Sequence, residues 1–103
     1  MRYSVVTTGV VKTDISEALE YYNAISLELA IRFGDDLLKA FNRLEYASHN
    51  YFNLGNGFRR ANLRKFPHLV LYSIDEEGLT VKIWGVFHQH SNPDFIKRRL
   101  KAE

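Results

Sequence analysis

The sequence predicts an α+β fold: an N-terminal strand, an α-helical hairpin, and then a three-stranded antiparallel meander, with the helices packed on one face of the sheet. Three observations predict it. Between residues 18 and 44 large apolar residues recur every three or four positions, the period of a buried helical stripe. From residue 58 to residue 88 the pattern changes to short apolar runs divided by Pro67 and by Asp75-Glu76-Glu77-Gly78, as strands and tight turns require. Connections this short join spatial neighbours, so the three runs pair antiparallel.

Residues 2–7 alternate, with Tyr3, Val5 and Thr7 on one side, and read as a short strand. Gly9 and Lys12-Thr13 end it. Asp14 stands three residues before Glu17, the aspartate version of a capping box, so a helix is expected to start there. Ala18, Leu19, Tyr22 and Ile25 give it an apolar stripe. Ser26 ahead of Leu-Glu-Leu is a second N-cap, so the helix breaks near Ala24–Ser26 and a new one runs to about Ala47. Ala30, Phe33, Leu37, Phe41 and Leu44 form its buried stripe, with Leu38 alongside. Gly34 inside it costs about 1 kcal/mol relative to alanine and is read as allowing close packing. Residues 50–57 read as a loop by their Asn and Gly content.

Three strands follow. The first covers residues 58–63. The second, 69–74, is apolar on both sides and should be covered on both faces. The third, 80–88, presents Val81, Ile83, Gly85 and Phe87 to one face and Lys82, Trp84, Val86 and His88 to the other. Asn92-Pro93 breaks the chain before a short basic helix over 94–101. The helical hairpin covers one sheet face, and the other is expected to be open.

With 103 residues, 46% of them apolar, the chain fits a single domain over residues 1–103 with its own core. It contains no cysteine, which excludes a disulfide framework and a thiolate metal centre. Four scattered histidines show no ligand spacing, so neither a metal nor another cofactor is expected. No apolar run approaches the roughly 20 residues of a membrane span, and the N-terminus is too polar for a signal peptide. The expected location is the cytoplasm, with no membrane partner.

Net charge is only +2, but it is unevenly distributed. Residues 1–45 hold five Lys or Arg against seven Asp or Glu; residues 46–103 hold nine against five. No acidic residue lies between Glu45 and Asp75. That asymmetry points to an anionic partner for the second half. Alternation in the 58–63 strand sharpens the point. Ala61 and Leu63 should face the helices together with Arg59. Arg60 and Asn62 then face the other way, with Arg64 in phase behind them. Two guanidinium groups and an amide suit a phosphate or carboxylate.

Metal-free ribonuclease chemistry would need an acid, a base and cations around one phosphate. Arg60 and Arg64 could hold the phosphate, and His88 or His90 could move the proton, since imidazole titrates near neutrality. Tyr72 is a weaker candidate. The aromatic residues Tyr21, Tyr22, Trp84 and Phe95 could contact a partner, as could the terminal cations Arg98, Arg99 and Lys101.

Four stretches are familiar together: the opening strand with its Thr-Asp-Ile, residues 14–33 (DISEALEYYNAISLELAIRF), residues 58–75 (FRRANLRKFPHLVLYSID) and residues 81–99 (VKIWGVFHQHSNPDFIKRR). In order and spacing they resemble the RelE/ParE superfamily of type II toxin–antitoxin toxins, also described as plasmid stabilisation proteins. Tyr21-Tyr22, the 66–75 stretch and the Val86-Phe87-His88 to Asn92-Pro93 ending lean towards the ParE-like branch. Residues 89–92 depart from the pattern, being Gln-His-Ser-Asn where many relatives carry a basic pair.

The resemblance implies a growth-inhibiting toxin neutralised by a cognate antitoxin, as a homodimer or a toxin–antitoxin hetero-oligomer. Its target would be DNA gyrase if ParE-like, or mRNA on the ribosome if it is a RelE-like endonuclease. An inactive relative that only binds an antitoxin is a further alternative. The residues expected to contact target or antitoxin are Arg59, Arg60, Asn62, Arg64, Trp84, His90, Arg98 and Arg99. If the chain is a ribonuclease, Arg60, Arg64 and His88 would be catalytic.

Overall fold

The computed structural model describes residues 2–101. It contains β1 (Ser4–Thr7), α1 (Gly9–Ile25), α2 (Leu27–Ala47), a 3-10 turn (Ser48–Asn50), β2 (Phe52–Gly55), β3 (Phe58–Asn62), β4 (His68–Asp75), β5 (Thr80–His88) and α3 (Pro93–Lys101). The strands form one mixed sheet in the order β1-β5-β4-β3-β2. β1 runs parallel to β5, and the other pairs are antiparallel. The expected fold class is therefore the one observed. Among the described residues no helix is long and apolar enough to cross a membrane.

α1 begins six residues earlier than the Asp14 capping box predicts, at Gly9 behind an extended Thr8 as the N-cap. The extra turn carries Val11, which is fully buried, so packing outweighs the capping signal. The Asp14 carboxylate is engaged elsewhere, with Val86 and Arg99. Ser26 does cap α2, its Oγ accepting from the Leu29 amide at 3.0 Å. Tyr22, Ala30, Phe33, Leu37, Ala40 and Leu44 form the helix side of the core. Two residues read as part of the stripes are exposed instead. Ile25 ends α1 at the hairpin bend, and Leu38 follows Leu37 by one position, about 100° off the buried face. At Gly34 an added Cβ would lie 4.0 Å from Leu19 Cδ2, an ordinary contact, so the helix approach does not require glycine.

Residues 52–55, read as loop, are an edge strand. They pair with β3 through a turn at Asn56-Gly57, where both φ values are positive, 53° and 83°; Asn and Gly tolerate that conformation best.

β5 also departs from simple alternation. Leu71 opposes Gly85 and Tyr72 opposes Ile83, which leaves Trp84 as an extra residue in a β-bulge. The bulge exchanges the faces predicted beyond it. Val81, Ile83 and Val86 join the helix-side core, and Phe87 joins Leu69 and Leu71 on the opposite side. That outer side is not open as expected. Ile96 and Leu100 of α3 pack against Leu69, Leu71 and Phe87, with Phe58 and Trp84 beside them. β4 is thus covered on both faces, which accounts for its uninterrupted apolar run.

Candidate functional site

The strand geometry sends Arg60 and Asn62 to the outer face, away from the core residues Ala61 and Leu63. Arg60 pairs in register with Phe52 of β2, and its guanidinium lies 5.0 Å from the centre of that ring. β2 pairs with β3 no further than Arg60, so beyond it a trough opens. Arg43, Arg60 and Arg64 bear on this trough together with Asn50 and Asn62. None of the three arginines forms an ion pair among the described residues.

Arg43 was missed by the sequence reading. It sits on α2, and nothing local signals that this helix reaches the sheet edge. Asp36 was missed as well. It is buried at 4% exposure, and its Oδ2 accepts from the amides of Lys65 at 2.8 Å and Phe66 at 3.0 Å. That carboxylate fixes the bend that carries Arg64.

Arg60 also borders a second hollow, a cavity of about 550 Å³ between α3 and the β2–β3 hairpin. Its walls are Leu54, Phe58, Leu69, Leu71, Pro93, Ile96 and Leu100, with Lys97, Asn56, Gln89 and Ser91 as its other polar groups. The outer face therefore presents an apolar cavity, and the sheet edge beside it a basic trough that reaches back to α2, the two sharing Arg60.

The remaining expected residues are distributed elsewhere. Arg59 points to the helix side and donates to the carbonyls of Tyr51 at 2.9 Å and His49 at 3.3 Å, bracing the connection into β2. Trp84 donates from Nε1 to Ser73 Oγ at 2.8 Å, and Lys82 Nζ lies 4.3 Å from its ring centre. Arg99 is held in an ion pair with Asp14, while Arg98 is exposed, 5.9 Å from the Phe95 ring. The Lys101 side chain lies outside the described residues. His90 is in an exposed turn, its ring 5.3 Å from that of His88.

His88 faces the helix side, in a hollow lined by Ala18, Tyr21, Tyr22, Ile25, Pro67 and His68. The sheet thus separates His88 from Arg60, and the ribonuclease constellation is not assembled on one face. His68, beside it, is 7% exposed; burial and the neighbouring His88 pull its pKa down to about 4. Tyr72 is fully buried and donates to the Ser48 carbonyl at 2.5 Å. Burial pushes its pKa up, so it keeps its proton and stands apart from the site.

At the other end of the sheet Glu76 receives the Tyr3 hydroxyl at 2.7 Å and meets His49 Nε2 at 2.5 Å. The bonds from His49 and Tyr3 hold the Glu76 carboxyl below its ordinary range. Among the described residues no group of three or more His, Cys, Asp or Glu could hold a metal ion.

The family profile described as the ParE toxin of type II toxin-antitoxin system, parDE, matches residues 5–93. In fold the chain is similar to a protein of the chromosomal ParDE toxin–antitoxin system of P. aeruginosa, with a TM-score of 0.72 and 16% identity over 84% of this chain and 96% of that one. A chain from the toxin–antitoxin complex RelBE2 of Mycobacterium tuberculosis gives a TM-score of 0.53 and 25% identity, covering 85% of this chain and 99% of that one. A mutant of the E. coli toxin RelE in the free state gives 0.55 and 13%, covering 99% and 98%. No curated protein matches the sequence significantly.

Proposed function

The chain belongs to the ParE toxin family of type II toxin–antitoxin systems, and from that premise we propose that it arrests growth by binding a protein target, DNA gyrase, and is neutralised by a cognate antitoxin. The observation that carries the choice of binding over RNA cleavage is the opposition of Arg60 and His88 across the sheet. A general acid or base must come within hydrogen-bond reach of the atom it serves, while cations hold the same phosphate. Arginines without ion-pair partners, in a trough lined by no histidine or carboxylate, are suited to docking on an anionic surface instead.

The antitoxin reading is supported by the helical hairpin. Tyr21, Ile25, Leu27 and Ile31 lie about its bend and are each more than 60% exposed. Large apolar side chains gathered in this way are suited to cover by a partner. The M. tuberculosis neighbour is itself described as a toxin–antitoxin complex. On this reading the site of action is the cytoplasm.

The test is induction in a sensitised host, with plasmid supercoiling and transcript integrity followed in parallel. Inhibited supercoiling with trapped DNA cleavage complexes and intact transcripts is the expected result. Cleaved transcripts with normal supercoiling would replace this reading with an mRNA endonuclease. Expression without growth arrest would leave a relative that only binds an antitoxin.

A further inference from the structure

We infer that the hollow at the β4–β5 turn is an active site of its own: a general-base site that hydrolyses small neutral carboxylic esters. His49 is the base, Glu76 and Tyr3 position it, and Arg59 and Asn53 receive the oxyanion. This goes beyond target binding, because it gives a task to groups that growth arrest by docking leaves unused.

The hollow measures about 180 Å³ and is lined by His49, Asn53, Gly57, Arg59, Ile74 and Glu76. Segments distant in sequence meet there. The 3-10 turn supplies His49, β2 supplies Asn53, β3 supplies Arg59, and Glu76 follows β4. Each polar group is fixed by one bond and keeps another position free. Glu76 Oε1 meets His49 Nε2 at 2.5 Å, and Oε2 accepts the Tyr3 hydroxyl at 2.7 Å. Those bonds favour the ionised carboxylate, which can only accept. In the neutral ring Nε2 therefore carries the proton, and the Nδ1 lone pair is left as the base. Nδ1 has no partner among the described residues. The Tyr3 ring stands edge-on to the imidazole, centres 5.7 Å apart, and restrains it further.

The donors are fixed in the same way. Asn53 Oδ1 accepts from the Gly55 amide at 2.8 Å, which leaves Nδ2 as a spare donor. Arg59 uses Nη1 on the carbonyls of His49 and Tyr51, and its other nitrogens have no partner among the described residues. A base oriented by a carboxylate, beside two held donors, is what general-base hydrolysis requires.

Charge and size select the substrate class. Arg59 and Glu76 line one hollow with opposite charges, so an anionic phosphate or carboxylate would meet the Glu76 charge there. A neutral ester does not. Its carbonyl oxygen becomes negative only as it reacts, which is when the guanidinium and the amide gain most. The hollow is smaller than the pockets of drug-sized ligands, so the acyl group must be short, and Ile74 gives it an apolar wall. The His49 and Glu76 side chains are 49% and 62% exposed, so water reaches the base.

In the step itself, His49 Nδ1 takes a proton from water while the water oxygen bonds to the ester carbonyl carbon. Arg59 and Asn53 hold the negative oxygen that results. On collapse the C–O bond to the alcohol breaks, and His49 returns the proton to the leaving oxygen. Ester and water give acid and alcohol, and the imidazole ends as it began.

The test is hydrolysis of p-nitrophenyl acetate by the full chain, followed by release of p-nitrophenol. Saturable turnover without a burst is expected, since water and not the ring attacks. His49→Gln should lower kcat/KM about a hundredfold. It removes one of four histidines, so a rate spread evenly over all imidazoles would fall only by about a quarter. Asn53→Asp keeps an acceptor for the Gly55 amide but replaces the spare donor with a carboxylate oxygen, and should lower kcat about tenfold or more. Glu76→Gln and Tyr3→Phe act through His49. They should lower kcat, roughly tenfold and threefold, at unchanged KM.

His49, Asn53 and Glu76 are exposed, Tyr3→Phe keeps the buried ring, and circular dichroism checks that each variant folds. Absence of turnover above buffer overturns the proposal. So does a loss of no more than about a quarter in His49→Gln, a Glu76→Gln effect confined to KM, or a burst equal to the protein concentration. None of these outcomes depends on growth arrest or supercoiling, so the two readings fail separately.

Discussion

Asp14 of α1 receives both arms of the Arg99 guanidinium from α3, Nη1 to Oδ2 at 2.8 Å and Nη2 to Oδ1 at 3.0 Å, across 85 positions of chain. The same Oδ2 accepts the Val86 amide at 3.1 Å. β1 pairs with β5 only as far as Ile83, so this carboxylate satisfies β5 where its neighbour has ended. Arg99 also donates to the Trp84 carbonyl in the bulge at 3.1 Å and passes over Gly85, where a Cβ would stand 3.2 Å from Nη1. One ion pair therefore joins the helical layer, the sheet and the helix that roofs the outer cavity.

Both side chains are largely buried, at 15% and 12% exposure, so removing either one strands a buried charge. Arg99→Ala or Asp14→Ala should each cost about 3 kcal/mol. The double variant should cost clearly less than the sum of the two. Urea unfolding of the four proteins checks this, and additive losses would show that the pair is not coupled. Asp14 is also where the sequence was most misleading. Its spacing to Glu17 copies a helix cap, while its partners lie more than seventy residues away, beyond any local pattern.

The legible parts of the molecule were those governed by short-range periodicity. The Ser26 break, the extent of α2 and the limits of β5 followed from spacing and one capping hydroxyl. The faces of β3 followed too, and with them the outward direction of Arg60 and Asn62. Three things were not legible. The Trp84 bulge changes the faces of Val86, Phe87 and His88, and its local signal, Gly85 inside a strand pattern, does not say which residue is extra. Phe52–Gly55 is held by pairing, not by β-propensity. Arg43 and Asp36 reach the site through helix–sheet packing, which single-sequence spacing does not encode.

Acid sensitivity should trace to His68. Its ring lies 4.8 Å from Phe33, 5.8 Å from Tyr22 and 5.3 Å from His88, and its Nδ1 has no partner among the described residues. Its folded pKa, about 4, lies below the ordinary 6.5. The unfolded chain therefore binds the extra proton between those values, and stability falls as pH drops from about 6.5 to about 4. The full shift corresponds to about 3 kcal/mol. His68→Leu should remove most of that loss. Glu76, held below its ordinary 4.5, loses its contribution only as pH falls below that value, so a residual decline there is expected in the variant. Thermal melts across pH 7 to 4 distinguish the two, and an unchanged slope in His68→Leu would refute the assignment.

Asp36 should matter to both stability and site. Replacing it with alanine leaves the Lys65 and Phe66 amides without their acceptor, at a cost of about 1–3 kcal/mol. Asp36→Asn keeps one acceptor oxygen and should lose less. Because the bend carries Arg64, growth arrest at equal expression should weaken in Asp36→Ala even where the protein is fully folded. Hydrogen exchange at residues 64–66 is the direct readout: faster exchange in Asp36→Ala is expected, and native rates would show that the loop is held by other contacts.

The two faces of the sheet make opposite predictions for toxicity. If the chain acts by docking, charge on the outer face matters and the imidazole on the helix face does not. Arg60→Gln should reduce growth arrest at equal expression, and adding Arg64→Gln should deepen the loss. The cause is lost charge complementarity, so the effect should be mirrored in affinity for the target and should diminish at high salt. His88→Ala should leave growth arrest intact, because an exposed side chain in a separate hollow contributes neither charge nor packing to the outer face. Catalysis predicts the reverse for His88, since loss of a general acid or base typically lowers the rate by two to four orders of magnitude. Loss of growth arrest in a folded His88→Ala protein would therefore count against docking and move the chemistry to the helix side, beside His68 and Tyr22.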